Sequence, residues 1–495
     1  MPNKLSITFM LAPKITGNFA PAASRIISSN LIRNKKLNVF FKDDALYIYN
    51  DFINNKRYRN YFTESKMLES YDKLSKMNNK YSNQLYNFIK LPIGIYKDII
   101  KSIETEYVIV SALSIFSFSF VTELLALNKK VILGGAVINT YKDIKDIRQY
   151  LLNIGANPNK LNDNLIIVHG FVDLHTDFYE IIKQWKDTYL PPADYSTIYD
   201  CDYDYLMESK LSPNIAVIPF SEGCYWGKCT YCDIFNGRDN NIEIFYNENL
   251  IKKIQNNINT IVKNYPNVNC LNLHENYLSL KTLKFINENI ELPSTIRNIY
   301  AYTGVKFLTN KTYAKEFAKL SRNNSVGVYS LLGFDAINDF TLSQCQRGFT
   351  LKDIEKAIIN ICSNMNKCFN FSITMIKDLP IRNYKTVYST NAYLYGIYNL
   401  LKEYTRVDFN INYLMMYPRS KMTESVINGS NKYMKLLNNP LDERASGIHY
   451  FLRHYLKDYH SMTDPVVNSL IPYYRVDEHN NLLPQDDEIE PFHGV

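Results

Sequence analysis

The chain has no long apolar run, no dense basic block, no low-complexity tract and few cysteines, and each shortage excludes a class. Tyr107–Thr122, a long stretch without a charge, is broken by serines and falls short of the ~20 apolar residues that a spanning helix needs. It predicts a buried strand entering a helix. Met1–Phe19 holds no basic segment followed by a long apolar run and a small-residue cleavage site, so the sequence predicts no secretory signal, a cytoplasmic protein and no membrane partner. The formal charge is +7, from 56 Lys and Arg against 49 Asp and Glu. The basic residues are dispersed, so no nucleic-acid partner is expected. Eight cysteines in a chain without a secretory signal argue against a disulfide framework and point to metal or redox use where they cluster.

What is there suits a protein of more than one core. A length of 495 residues exceeds the size at which a single core stops growing, and 46% hydrophobic with 21% charged residues is a globular composition. The fold class is α/β. Short apolar strands at Leu5–Leu11, Leu37–Phe41, Tyr107–Ser111, Val131–Leu133 and Leu165–His169 alternate with helical patterns, one of them Pro21–Arg33. That rhythm predicts a Rossmann-like, doubly wound parallel sheet over residues 1–190. A polar segment between Asp44 and Ser102 reads as an inserted helical layer.

Pro191, Pro192 and nearby Asp and Tyr residues suggest a boundary around Leu190–Asp204. A second series follows over 205–424, with strands at Ile215–Phe220, Cys270–Leu273, Ile299–Thr303, Val326–Leu332, Phe371–Ile376 and Phe409–Met415, and amphipathic helices at Leu250–Asn264 and Leu351–Met365. Six such units predict a partial (β/α)6 barrel. Residues 425–495 are expected to form a mostly helical cap or substrate-binding extension.

The segment Ser221-Glu-Gly-Cys-Tyr-Trp-Gly-Lys-Cys-Thr-Tyr-Cys-Asp233 sets Cys224, Cys229 and Cys232 in a C-x4-C-x2-C array after the first strand of the second series. Three thiolates on a short loop can hold one face of a [4Fe-4S] cubane and leave the fourth iron open. The amino and carboxylate groups of S-adenosylmethionine (SAM) can chelate such an iron. A structural zinc site needs a fourth ligand, and the next Cys or His, Cys270 and His274, lie about forty residues on. A non-catalytic iron–sulfur carrier normally completes four-cysteine ligation, and that reading stays open as the alternative from another class.

The string GCYWGKCTYC resembles the cluster loop of radical SAM enzymes with an N-terminal cobalamin-binding-like domain, similar to maturases of ribosomally made peptides. The resemblance implies a SAM-binding role for Tyr231, between the last two cysteines. In Leu271-Asn-Leu-His-Glu-Asn-Tyr-Leu-Ser279 it implies Glu275 near the SAM amino group with His274 beside it. Asp335 in Leu332-Gly-Phe-Asp-Ala336 falls where relatives often have Glu, and Arg347 in Gln346-Arg-Gly-Phe-Thr350 is a cation able to meet a SAM carboxylate. Asp335 and Arg347 each read equally well as a surface salt-bridge residue. The chain departs from the family in having Glu222 before Gly-Cys where an arginine is usual.

Met10-Leu-Ala-Pro13 and Val131-Ile-Leu-Gly-Gly135 resemble parts of the cobalamin-binding-like domain, with Gly134 and Gly135 at a strand end where a large flat ligand can approach. The D-x-H-x-x-G motif that supplies a cobalt ligand elsewhere is absent. The nearest string, Asp173-Leu-His175, has Phe178 where the glycine belongs. A cobalamin site and a degenerate domain that kept only the fold both remain open, and His169 reads as a strand-end histidine satisfied locally.

The function implied is reductive SAM cleavage followed by cobalamin-dependent methylation of an unactivated carbon, with a peptide substrate and an external electron donor such as flavodoxin or ferredoxin. The alternative is a cobalamin-independent epimerase or other radical peptide modification. For an epimerase Cys345 is the candidate hydrogen donor, ahead of Cys362 and Cys368.

Overall fold

In the computed structural model, the residues described are 4–11, 19–20, 22–42, 99–112, 117–140, 143–153, 155–201, 204, 214–218, 220–222, 224, 226–232, 242–243, 248–273, 278–323, 325–377, 379–382, 385–414, 420–436 and 473–475. The chain divides into two compact units, with the break between Leu211 and Ser212.

The first unit is built on a parallel sheet. Its elements are β1 (Leu5–Leu11), α1 (Ala22–Arg33), β2 (Leu37–Lys42), β3 (Tyr107–Ser111), α2 (Ser117–Ala126), β4 (Lys130–Gly134), α3 (Ile144–Asn153), α4 (Pro158–Asn164), β5 (Leu165–His169), α5 (Phe178–Gln184) and β6 (Thr188–Tyr189). The strand order is β2-β1-β3-β4-β5-β6, all parallel. β1, β3, β4 and β5 are buried nearly end to end rather than alternately, the pattern of strands covered on both faces.

Register aligns Phe9, Ile109, Ile132 and Ile166 across one face, where Ile27 and Leu31 of α1 and Phe178, Ile181 and Ile182 of α5 pack on them. α2 and α4 contact β4, and Val108, Val110, Val131 and Leu133 supply the buried positions between those of the first face. Arg148 of α3 pins the far end of the sheet. It grips Asp187 through Nε and Nη2 at 2.8 and 2.7 Å and donates to the carbonyls of Leu161 and Leu165, while Asp187 also accepts from Ile167 N.

The residues read as a linker partly belong to this unit. A 3-10 turn at Tyr195–Asp200 is tied in by the Leu174 amide, which donates to the Thr197 hydroxyl, and by Arg33, which donates to Asp200 O. Nearly all of the segment read as an inserted helical layer, residues 43–98, lies outside the described residues.

In the second unit the strands follow the chain. Its elements are β7 (Ile215–Val217), α6 (Glu248–Asn264), β8 (Cys270–Asn272), α7 (Leu280–Asn289), β9 (Asn298–Tyr300), α8 (Val305–Leu308), α9 (Lys311–Ala318), β10 (Gly327–Asp335), α10 (Asp339–Gln344), α11 (Leu351–Asn364), β11 (Phe369–Lys377), α12 (Lys385–Tyr404), β12 (Arg406–Tyr413) and α13 (Lys421–Ile427). The six strands pair in parallel in the order β12-β11-β10-β9-β8-β7. Strictly sequential order with crossovers of one hand puts every connecting helix on the same face, which is how a (β/α) barrel is wound.

Burial agrees with that winding. β11 alternates residue by residue, with Phe369, Phe371, Ile373 and Met375 buried and Asn370, Ser372, Thr374 and Ile376 half-buried between them. β10 does the same as far as Gly333, and Leu331 on its open face is 38% exposed. One face is the core beneath the helices and the other is open.

Most of the residues read as a helical tail lie outside the described residues. Those described hold the last turn of α13, a helix N-capped by Ser420, and the strand Met434–Leu436, which pairs antiparallel with Tyr473–Arg475. No helix among the described residues is long and apolar enough to cross a membrane.

Gly135 turns the chain after β4 with φ +112°, and a Cβ there would lie 2.3 Å from Ala112 O. Gly135→Ala is therefore expected to lower stability by about 3 kcal/mol, from overpacking and a left-handed backbone together. Gly396→Ala, at an exposed α12 position with open space around it, is expected to be neutral or to stabilise by up to about 1 kcal/mol. Thermal unfolding followed by circular dichroism measures both; equal midpoints for the two variants would count against the packing described.

Candidate active site

The cysteine loop leaves the end of β7 and returns to α6. Its base is closed by a two-residue antiparallel pairing of Ser221–Glu222 with Ile242–Glu243. Cys224, Cys229 and Cys232 are all free thiols and all half-buried.

Backbone and ring contacts strap the loop to the turns after β10. Thr230 N donates to Cys345 O at 3.0 Å, and Met422 N at the start of α13 donates to Thr230 O at 2.8 Å. Trp226 Nε1 donates to Gln346 O, and Lys228 lies over the same indole, 5.2 Å from the ring centroid. Gly348, at φ +73°, is what lets the indole sit there, because a Cβ would lie 2.3 Å from Trp226 ring carbon.

Three residues singled out in the sequence meet one of the cysteines. Tyr231 OH donates to Asp335 Oδ2 at 2.5 Å. Arg347 Nε lies 2.6 Å from the same oxygen, an ion-pair contact in which the N–H is not aligned as a hydrogen bond. Arg347 Nη2 donates to Gly333 O at 2.9 Å, and Nη1 reaches Cys229 Sγ at 3.3 Å.

Burial, reinforced by the carboxylate of Asp335, holds the Tyr231 phenol well above its ordinary pKa, so it stays a donor. Burial opposes the charge of Arg347, but Asp335, Tyr231 and Cys229 together outweigh it and keep the guanidinium protonated. Asp335 has φ +60° and Gln346 φ +52°, left-handed conformations that cost non-glycine residues roughly 1–3 kcal/mol each and gather at functional sites.

Beside the loop lies the open face of the sheet. Register places Cys270 and Asn272, Asn298 and Tyr300, Tyr329, Leu331 and Gly333, and Asn370, Ser372 and Thr374 on it. Tyr300 and Tyr329 stack with centroids 5.1 Å apart. Burial raises the Tyr302 phenol, which the Asn272 amide partly offsets, and pushes the Cys270 thiol to about 12. Asn272 Oδ1 is buried with no hydrogen-bond partner. The face therefore offers stacked aromatic surface, neutral hydroxyls and one unused acceptor, a combination suited to an organic ligand with polar edges.

The donor set, three thiols on one loop, is of the kind that an iron–sulfur cluster takes. Among the described residues no three His, Cys, Asp or Glu side chains converge as the ligands of one metal would. Half-exposed sulfurs, an adjacent cation and a rigidly held loop are what such a cluster requires.

The remaining sequence candidates are placed as follows. Cys345, at the C-terminus of α10, has no exposed surface, and burial drives its thiol pKa far up. Its visible contribution is the carbonyl that anchors Thr230. His274 and Glu275 lie outside the described residues. Gly134 and Gly135 stand at the C-terminal edge of the first sheet, but the close approach Gly135 permits is to Ala112. His169 ends β5 with its ring 5.2 Å from that of Tyr189, a local contact as expected.

Sequence reading missed Trp226, Gln346 and Thr230 as loop clamps, and the open-face cluster of Asn272, Tyr300, Tyr302 and Tyr329. Trp226 could have been flagged as one of only two tryptophans in the chain.

No family model matches the chain, and no curated protein matches it significantly. Solved structures do. The cobalamin-dependent S-adenosylmethionine radical enzyme OxsB, with aqua-cobalamin and S-adenosylmethionine bound, matches at 11% identity and TM-score 0.58 over 95% of this chain. The chain spans 64% of the length of OxsB. The radical S-adenosylmethionine methyltransferase TsrM from Kitasatospora setae, with tryptophan and aza-SAM bound, matches at 10% identity and TM-score 0.51 over 87% of this chain and 78% of that one. At these identities the likeness is one of fold.

Gly348→Ala is expected to expel the Trp226 ring and loosen the loop, so anaerobically reconstituted protein should retain several-fold less iron after gel filtration than wild type, with unchanged far-ultraviolet circular dichroism. Wild-type iron content in that variant would show that the indole clamp does not hold the loop.

Proposed function

We propose that this chain is a radical SAM enzyme in which Cys224, Cys229 and Cys232 hold a [4Fe-4S] cluster. One observation carries the reading: three free thiols on a strapped loop at the head of a sequential parallel sheet, with the Arg347 guanidinium on the central sulfur. Bound there, the cluster and SAM would supply reductive SAM cleavage and hydrogen abstraction from an unactivated carbon. The protein's own residues orient and enclose. Trp226, Thr230 and Tyr231 fix the loop, and the open face of Tyr300, Tyr302, Tyr329 and Asn272 gives the ligands a surface beside it.

The finer proposal is cobalamin-dependent C-methylation of a ribosomally made peptide, fed with electrons by a flavodoxin- or ferredoxin-like donor. Cobalamin is supported by the strand order of the first unit, which reverses between β1 and β3, the kind of switch point at which doubly wound sheets bind their ligands. The fold likeness to OxsB and TsrM supports it further. The peptide rests on the likeness of the cysteine loop to peptide maturases. For the epimerase alternative, Cys345 has no exposed surface, while Cys362 and Cys368 are half-buried.

Anaerobic protein incubated with SAM and dithionite is expected to release 5′-deoxyadenosine, and replacing any of the three cysteines with Ala should remove both cluster absorption and release. A fully loaded cluster that leaves SAM intact would favour an electron carrier. Reconstitution with hydroxocobalamin should leave corrin absorption on the protein after desalting; its loss would remove the methylation proposal while leaving SAM cleavage standing.

A further inference from the structure

The cation beside the cysteine loop is set in a cage that fixes where its N–H groups point. Gly333 leaves room for it, since a Cβ there would come within 2.9 Å of Arg347 Nη2. The Gly333 carbonyl accepts from that same nitrogen. Phe349 covers the guanidinium plane at 5.0 Å from its ring centroid, and Asp335, itself held by Tyr231, sits on the Nε side. The remaining edge of the fork is directed at Cys229 Sγ. Arg347 is 20% and Asp335 7% exposed, so solvent screens the pair only weakly.

We propose that Arg347 is a positioning residue whose N–H···S contact on Cys229 sets the reduction potential of the bound cluster, with Asp335 as the counter-charge that limits the effect. The proposal rests on the cluster reading above and deepens it. Reduction adds one electron, and so one negative charge, to a centre already bearing three thiolates. Hydrogen bonds and positive charge at the sulfurs favour the reduced form, and hydrogen bonding to the sulfurs is among the factors that set such potentials. Asp335 sits on the far side of the guanidinium and subtracts from that field. The two residues therefore act with opposite sign, which a purely structural role for either would not produce.

The test is a redox titration of anaerobically reconstituted full-length protein without SAM, followed by electron paramagnetic resonance of the reduced cluster and matched by iron and sulfide analysis. Arg347→Gln strips the charged donor and leaves Asp335 uncompensated. The expected result is a reduction equilibrium about tenfold less favourable, a shift of about 59 mV downward for a one-electron couple. Asp335→Asn leaves the guanidinium unopposed and should shift the midpoint upward by a similar factor. Asparagine tolerates the left-handed backbone at 335, so this variant is chosen to keep the turn.

Arg347→Lys keeps the charge without the fork and should fall between wild type and Arg347→Gln. If Arg347→Gln does not load, the upward shift in Asp335→Asn and the partial downward shift in Arg347→Lys must still be seen. Midpoints equal to wild type, or two charge variants moving in the same direction at full iron content, would overturn the proposal and leave the cluster reading intact. A wild-type chain that takes up no cluster removes the functional reading itself, and this inference with it.

Discussion

Three thiols on a half-buried loop could be held as thiolates only with a cation near them and a backbone that cannot relax away from it, and the turns after β10 supply both. Arg347 supplies the charge at 3.3 Å from Cys229 Sγ. Its own burial is tolerable because Asp335 stands 2.6 Å away, in line with the rule that buried charges are paired. Asp335 and Gln346 adopt left-handed backbone to bring these groups to the loop, and Gly348 accepts the Trp226 ring. The strain is local and the contacts around it are several, which is how such conformations persist.

The two units solve the burial problem differently, and that difference decides where chemistry can occur. In the first, helices cover both faces, so the strands are apolar throughout and a ligand can meet the sheet only at the ends of its strands. In the second, sequential strand order confines the helices to one face, and the alternation in β10 and β11 leaves half of each strand facing open space. Stacked tyrosines and an unused amide oxygen occupy that face. The face and the cysteine loop belong to the same unit.

Much of the fold was legible because long β runs bounded by turn residues leave little ambiguity. Leu5–Leu11, Tyr107–Ser111 and Leu165–His169 were read to their last residue, and the six strands of the second unit fell in the expected order. Strand ends were less well placed. Ile215–Phe220 proved to stop at Val217, and the β10 reading ending at Leu332 ran on to Asp335 through a bulge between Gly333 and Asp335.

The cysteines and the trio of Tyr231, Asp335 and Arg347 could be found from spacing and family likeness. The contacts that join them to the loop could not, since Tyr231–Asp335 and Cys229–Arg347 link residues more than a hundred positions apart through turns whose geometry depends on positive φ. The open-face tyrosines escaped because only strand pairing puts Tyr300 next to Tyr329. In a chain with 40 tyrosines, no single one stood out.

The open face also fixes the heat signature of anything that docks there. Leu331, more than a third exposed, and the Tyr300–Tyr329 stack hold apolar surface against water. Covering such surface removes its hydration shell and lowers the heat capacity of the complex below that of its separated parts. The affinity of a molecule lodging on that face thus has a temperature dependence written by the alternation of a single strand.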